Sequence, residues 1–108
     1  MSEPIVCFST ASSAEEAEKI ARGLVESQLA ACVNILPQVR SIYRWEGKIE
    51  DGAEWLLVIK SRRHLLDDLV ARVRGLHSYS VPEVVALPIL GGNPDYLAWL
   101  NDSTWGPR

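Results

Sequence analysis

The sequence predicts an α+β fold ordered β-α-β-β-α-β with a short helix at the end. Two segments with apolar residues at three- and four-residue spacing stand between short runs rich in β-branched residues. A long β-rich ribbon, Ala30 to Glu50, carries a Trp45-Glu46-Gly47-Lys48 turn at its tip. A proline-led segment with Tyr96, Leu97, Trp99 and Leu100 closes the chain.

Ile5 to Thr10 is the first strand. Period-2 geometry puts Ile5, Cys7 and Ser9 on one face and Val6, Phe8 and Thr10 on the other. Ser12 and Ser13 stand three residues before Glu15 and Glu16, so either pair can form a capping box. The helix that follows is expected to bury Ala17, Ile20, Ala21, Leu24, Val25 and Gln28, with charged residues on its other face.

In the ribbon, Val33, Ile35 and Val39 alternate with polar residues around Pro37. Proline cannot donate a ladder hydrogen bond, so a bulge or bend is expected there. Gly47 and Asp51-Gly52 supply turn chemistry, and the returning strand is placed at Ala53 to Ser61. A second helix is expected from about Arg62, burying Leu66, Leu69, Val70 and Val73, with Gly75 as its C-terminal cap. Pro82 leads into a strand at Glu83–Leu90, and Pro94 opens the last helix.

This order is the split β-α-β, ferredoxin-like arrangement, with two helices on one face of an antiparallel sheet. No helix is left for the second face, and the first strand is apolar or nearly so on both sides, so another subunit is its natural cover. The far end of so long a ribbon also needs another chain to lie on. The sequence therefore predicts an oligomer whose function sits where subunits meet.

The chain of 108 residues is read as a single domain, 1–108. Its apolar fraction of 47% and charged fraction of 23% are those of an ordinary soluble protein. A net charge of −3 argues against nucleic acid or an anionic membrane as partner. No apolar run reaches the ~20 residues of a membrane span. Met-Ser-Glu-Pro at the start lacks the pattern of a secretion signal, so a cytoplasmic location is expected. Cys7 and Cys32 read as buried reduced thiols, and neither Cys-x-x-Cys nor His-x-x-x-His is present. The chain also lacks a phosphate loop, a Gly-x-Ser-x-Gly elbow and a His-Glu-x-x-His motif, and is read as no enzyme.

Five motifs follow one another: Ala30-Ala-Cys-Val-Asn-Ile35, Ile42-Tyr-Arg-Trp-Glu-Gly-Lys-Ile-Glu50, a strand ending Val58-Ile-Lys60, His77-x-Tyr79-x-x-Pro82-Glu83 and Tyr96-Leu-x-Trp99-Leu100. In this order they resemble the CutA family of divalent-cation tolerance proteins. The resemblance implies a ferredoxin-like subunit in a homotrimer similar to that of PII signalling proteins, and a link to metal tolerance, copper above all. Relatives with a proposed copper site have a cysteine where this chain has Ser9. They have two histidines where it has Leu76 and His77. Only His77 survives as a metal ligand, and a serine hydroxyl and a leucine cannot replace a thiolate and an imidazole. Copper as a cofactor is expected to bind weakly.

A second cluster mixes charges with aromatics. Tyr43, Trp45 and Glu46 lie near the ribbon tip, with Lys60 at the end of the returning strand and Tyr79 and Glu83 around the following loop. In a trimer these groups would line a cleft between subunits, open to a small metabolite. The alternative reading makes Tyr43 and Trp45 interface anchors, and has Glu83 either pair with Lys60 or cap backbone amides. Three functions stay open: metal tolerance with weak copper binding, a PII-like small-ligand sensor, and a trimeric scaffold without ligand.

Overall fold

The structure, a computed structural model, describes residues 2–106. Met1, the first residue of the Met-Ser-Glu-Pro reading, and Pro107 and Arg108 lie outside the described residues. The elements are β1 (Pro4–Ala11), α1 (Ala14–Glu26), β2 (Cys32–Trp45), β3 (Lys48–Arg62), α2 (Leu66–Leu76), β4 (Val85–Pro88) and α3 (Pro94–Asp102). A 3₁₀ turn at Arg63–Leu65 leads into α2. The strands form one antiparallel sheet in the order β2-β3-β1-β4.

The alternation read from β1 holds. Ile5, Cys7, Ser9 and Ala11 are buried, and their β3 partners include Leu57, Ile59 and Ser61. Ala17, Ile20, Ala21 and Leu24 of α1 and Leu69 and Val73 of α2 complete this core, so both helices lie on that face. The serine pair also caps α1 as anticipated. Ser13 Oγ accepts from the N–H of Glu16, and the Glu16 carboxylate reaches back to the Ser12 N–H at 2.9 Å.

Val25 and Gln28 were expected in the buried stripe but are exposed. The helix stops at Glu26, Gln28 takes φ 60°, and the N–H groups of Leu29 and Ala30 fold back onto the Leu24 carbonyl. Gly75 is not a cap either. The second helix runs through it to Leu76, and the chain leaves in extended form at His77.

β3 begins at Lys48, well before the expected Ala53, because Asp51-Gly52 is no turn. Asp51 pairs with Ile42 and Gly52 with Ser41. The chain reverses only at Glu46-Gly47, where φ values of 50° and 80° make the two-residue turn that matches strand twist. Pro37 and Gln38 form the expected bulge, with Gln38 at φ 54° and the register shifting between Leu36 and Val39. The fourth strand is only Val85–Pro88, shorter than the expected Glu83–Leu90.

The second face is not left entirely without a helix. Cys32, Val6 and Lys60 share that face in the ladder, and the Tyr96 hydroxyl of α3 lies 3.5 Å from Cys32 Sγ. α3 therefore roofs one end of it, and Cys32 is half-buried rather than in the core. Beyond that roof Leu36, Val85 and Leu87 are exposed large hydrophobics.

Arg62, wholly buried, ties the chain after α3 to the sheet. Its Nε donates to Thr104 Oγ1 at 2.7 Å, and one terminal nitrogen donates to the carbonyls of Thr104, Trp105 and Gly106. Arg62→Met keeps the bulk but orphans these acceptors, and should cost about 3 kcal/mol in urea unfolding. A loss within experimental error would show that the strap is held by other contacts.

Candidate functional site

Next to the hairpin stands a cavity of about 710 Å³, walled by the ribbon on one side and the 77–83 loop on the other. The bulge decides which ribbon residues share a face. Before it, even-numbered residues such as Leu36 pair on the second face. After it, Val39, Ser41, Tyr43 and Trp45 join Glu54 and Leu56 there. One inserted residue thus puts both aromatics on the side of Glu54.

The loop is held by a network that starts in α1. Glu16 Oε1 accepts from the N–H and the hydroxyl of Ser12, and Glu16 Oε2 accepts from the N–H of Ser78 at 2.8 Å. The His77 side chain is fully buried. Its Nε2 lies 2.7 Å from the Thr10 carbonyl, and its Nδ1 accepts from the N–H of Tyr79 at 3.0 Å. These partners require the neutral tautomer with its proton on Nε2. The Tyr79 ring packs on the imidazole, 4.6 Å between centroids, and its hydroxyl donates to Glu54 Oε2 at 2.7 Å. Loop, first strand, first helix and ribbon are thereby locked together.

The electrostatics follow from these contacts. Burial opposes ionisation of Glu16, but the hydrogen bonds from Ser12 and Ser78 outweigh it and hold the carboxyl at about 2. Burial, the bond to Glu54 and that carboxylate's charge keep the Tyr79 phenol protonated well above its ordinary range. Burial pushes the Cys7 thiol up to about 11, so it is a core group and no ready thiolate.

Of the cleft residues expected from sequence, Tyr43, Trp45, Tyr79 and Glu83 line the cavity. Glu46 does not; it occupies the turn. Lys60 does not either. It pairs with Val6 and Cys32 six residues along β3 from Glu54, roughly 20 Å away by strand rise. Lys60 donates to Asn34 Oδ1, and no Glu83–Lys60 pair is formed among the described residues. Sequence reasoning missed Glu54, buried at the cavity wall, and Thr10, whose carbonyl anchors His77. A carboxylate next to the apolar run Trp55–Ile59 was the one signal that could have found Glu54.

The residues at the copper positions do not fit a copper ion. Ser9 is buried, its hydroxyl without a hydrogen-bond partner among the described residues, and Leu76 packs against α1, where a Cβ on Gly23 would meet its Cδ1 at 2.7 Å. Both ring nitrogens of His77 are engaged, so coordination would have to break the Tyr79 or Thr10 contact. Among the described residues no group of three or more His, Cys, Asp or Glu side chains is placed to hold a metal.

The network gives stability a defined acid dependence. Glu16 has a folded pKa below its ordinary 4.5, so its contribution is complete above that value and is lost as pH falls toward about 2. Between pH 5 and 2 the wild type should lose about 2–3 kcal/mol more than Glu16→Gln in urea unfolding. Parallel losses would mean that the bonds to Glu16 do not favour its charged form.

A family model, CutA1 divalent ion tolerance protein, matches residues 5–103. The divalent-cation tolerance protein CutA of Thermus thermophilus is 50% identical over 92% of this chain and 96% of its own length. The chloroplastic protein CutA of Arabidopsis thaliana is 49% identical over 93% of this chain, which spans about half, 55%, of that relative. The crystal structure of CutA1 from Oryza sativa superposes with a TM-score of 0.94 at 48% identity, covering 97% of this chain and 96% of that one. A family match over residues 5–103, half-identical sequence and near-complete superposition leave one conclusion: the chain belongs to the CutA1 divalent ion tolerance protein family.

Proposed function

We propose that this chain works in divalent-cation tolerance as a homotrimer of ferredoxin-like subunits, by binding rather than by catalysis. The observation that carries the proposal is the ribbon beyond the bulge. Ile42 and Ile49 are 62% and 61% exposed, and Tyr43 and Trp45 are 46% and 43% exposed. The ribbon helps stretch the subunit to 44 Å in one direction against 25 and 22 Å in the others. Apolar residues at the tip of a projecting two-stranded ribbon call for a second surface, and a copy of this chain offers Leu36, Val85 and Leu87 on its open sheet face. The relatives named for divalent-cation tolerance supply the cellular role.

Copper, on this reading, is handled indirectly. His77 serves the loop, and any copper the protein takes up is weakly held by exposed groups. A second reading is favoured by the cavity itself: a PII-like sensor in which a small ligand fills the space between ribbon and loop and alters the trimer's contact with a partner. The free thiols Cys7 and Cys32 suit a reducing compartment such as the cytoplasm.

Assembly is tested by sedimentation on dilution. Trp45→Ala should weaken the trimer by about 3–5 kcal/mol per truncated aromatic, and should lower copper resistance when it replaces the wild type in a strain lacking its own copy. An unchanged trimer would remove Trp45 as an anchor, and a monomeric wild type would remove the assembly itself. In calorimetry with Cu(II), wild type and His77→Ala should both give weak, unsaturable heat. Saturable binding at one site per subunit, lost in His77→Ala, would restore a direct metal site.

A further inference from the structure

We propose that the cavity between ribbon and loop binds a small organic cation, an ammonium compound, through aromatic faces and two carboxylates. The inference deepens the small-ligand reading of this same cavity by naming the ligand's chemistry. Three aromatic side chains, Tyr43, Trp45 and Tyr79, line it together with the carboxylates of Glu54 and Glu83. Aromatic faces attract a cation through the negative lobe of their quadrupole, most strongly where water is partly excluded. Carboxylates set beside them add a charge of the same preference.

Arg40, the one cationic residue on the cavity wall among the described residues, does not reverse this sign. Its Nε and one terminal nitrogen are both held by Asp51, at 2.9 and 2.6 Å, in a two-point pair that neutralises it. Glu83 forms no ion pair among the described residues. Glu54 spends one oxygen on the Tyr79 hydroxyl, and its other oxygen has no hydrogen-bond partner among the described residues. The phenol of Tyr79 stays protonated, so it can donate to Glu54 without bringing a second negative charge.

An anionic metabolite would have to approach two carboxylates with no free cation on the wall, a like-charge contact that selects against it. A neutral apolar ligand would leave the carboxylates desolvated without a partner. A cation of moderate size satisfies both constraints. Its positive charge faces Glu54 and Glu83 while its methyl or methylene groups lie on the aromatic faces.

Tetramethylammonium and tert-butanol, similar in shape but different in charge, separate these cases. Both are titrated at constant ionic strength into the full-length protein, following the indole N–H signal of Trp45, assigned with Trp45→Phe. Tetramethylammonium should shift that signal in a saturable way and bind about tenfold tighter than tert-butanol. Glu83→Gln and Glu54→Gln should each weaken it by a similar factor, and acetate should leave the signal unmoved. Should Glu54→Gln fail to fold, Glu83→Gln, at an exposed position, decides alone.

Equal binding of the neutral analogue would overturn the proposal, as would indifference to Glu83→Gln, a preference for acetate, or no saturable shift at all. Sedimentation of the same samples keeps the two readings apart. A trimer that ignores tetramethylammonium would sink only the cation, whereas a monomer that binds it would sink only the assembly.

Discussion

The ladder between β2 and β3 is the constraint on which the rest of the molecule depends. Twelve paired positions run from Cys32 opposite Lys60 to Trp45 opposite Lys48, interrupted once. That interruption is as consequential as the pairing. Pro37 gives up a hydrogen bond, Gln38 enters the left-handed region, and the extra residue reverses which side chains share a face. Without it Tyr43 and Trp45 would alternate onto the face opposite Glu54. Strand pairing thus sets how far the hairpin reaches, and the bulge sets what it presents.

The 77–83 loop is the other wall, and it is ordered by polar contacts rather than by secondary structure. Glu16 serves two purposes with one carboxylate, closing the cap of α1 and holding Ser78. His77 links the end of β1 to the backbone of Tyr79, and Tyr79 crosses to Glu54 on the ribbon. The three bonds of His77 and Tyr79 are partly buried, so breaking one leaves a partner with reduced access to water. The histidine serves the architecture, since both of its ring nitrogens are held by backbone groups of β1 and the loop.

The two faces of the sheet divide the labour. One is sealed by α1 and α2 around Cys7, Leu57 and Ile59. The other is roofed only at one end, by α3 and the strap that Arg62 holds, and leaves Val85 and Leu87 open. A hairpin with apolar residues at its tip and a sheet with an apolar face uncovered are complementary needs within one chain. The homotrimer proposed above would answer both at once, with each subunit contributing a ribbon and receiving one.

Read by itself, the sequence determined what local chemistry controls. Alternation in β1, the serine cap on α1, the Glu46-Gly47 reversal and the break at Pro37 all depend on residues within a few positions of one another. Of the six residues expected in a cleft between subunits, Tyr43, Trp45, Tyr79 and Glu83 line a cavity within one subunit. Tertiary structure alone decided the rest. Asp51-Gly52 looks like a turn, but pairing with Ser41 and Ile42 across the ladder keeps it in a strand. Gly75 looks like a cap, but the helix continues through it to Leu76, which packs on Gly23. Lys60 and Glu83 look like partners until register separates them. Glu54 joins the cavity only because a bulge seventeen residues earlier in the chain sets its neighbours and a tyrosine twenty-five residues later reaches its carboxylate. Those outcomes depend on contacts between distant segments, whose free energy no local pattern encodes.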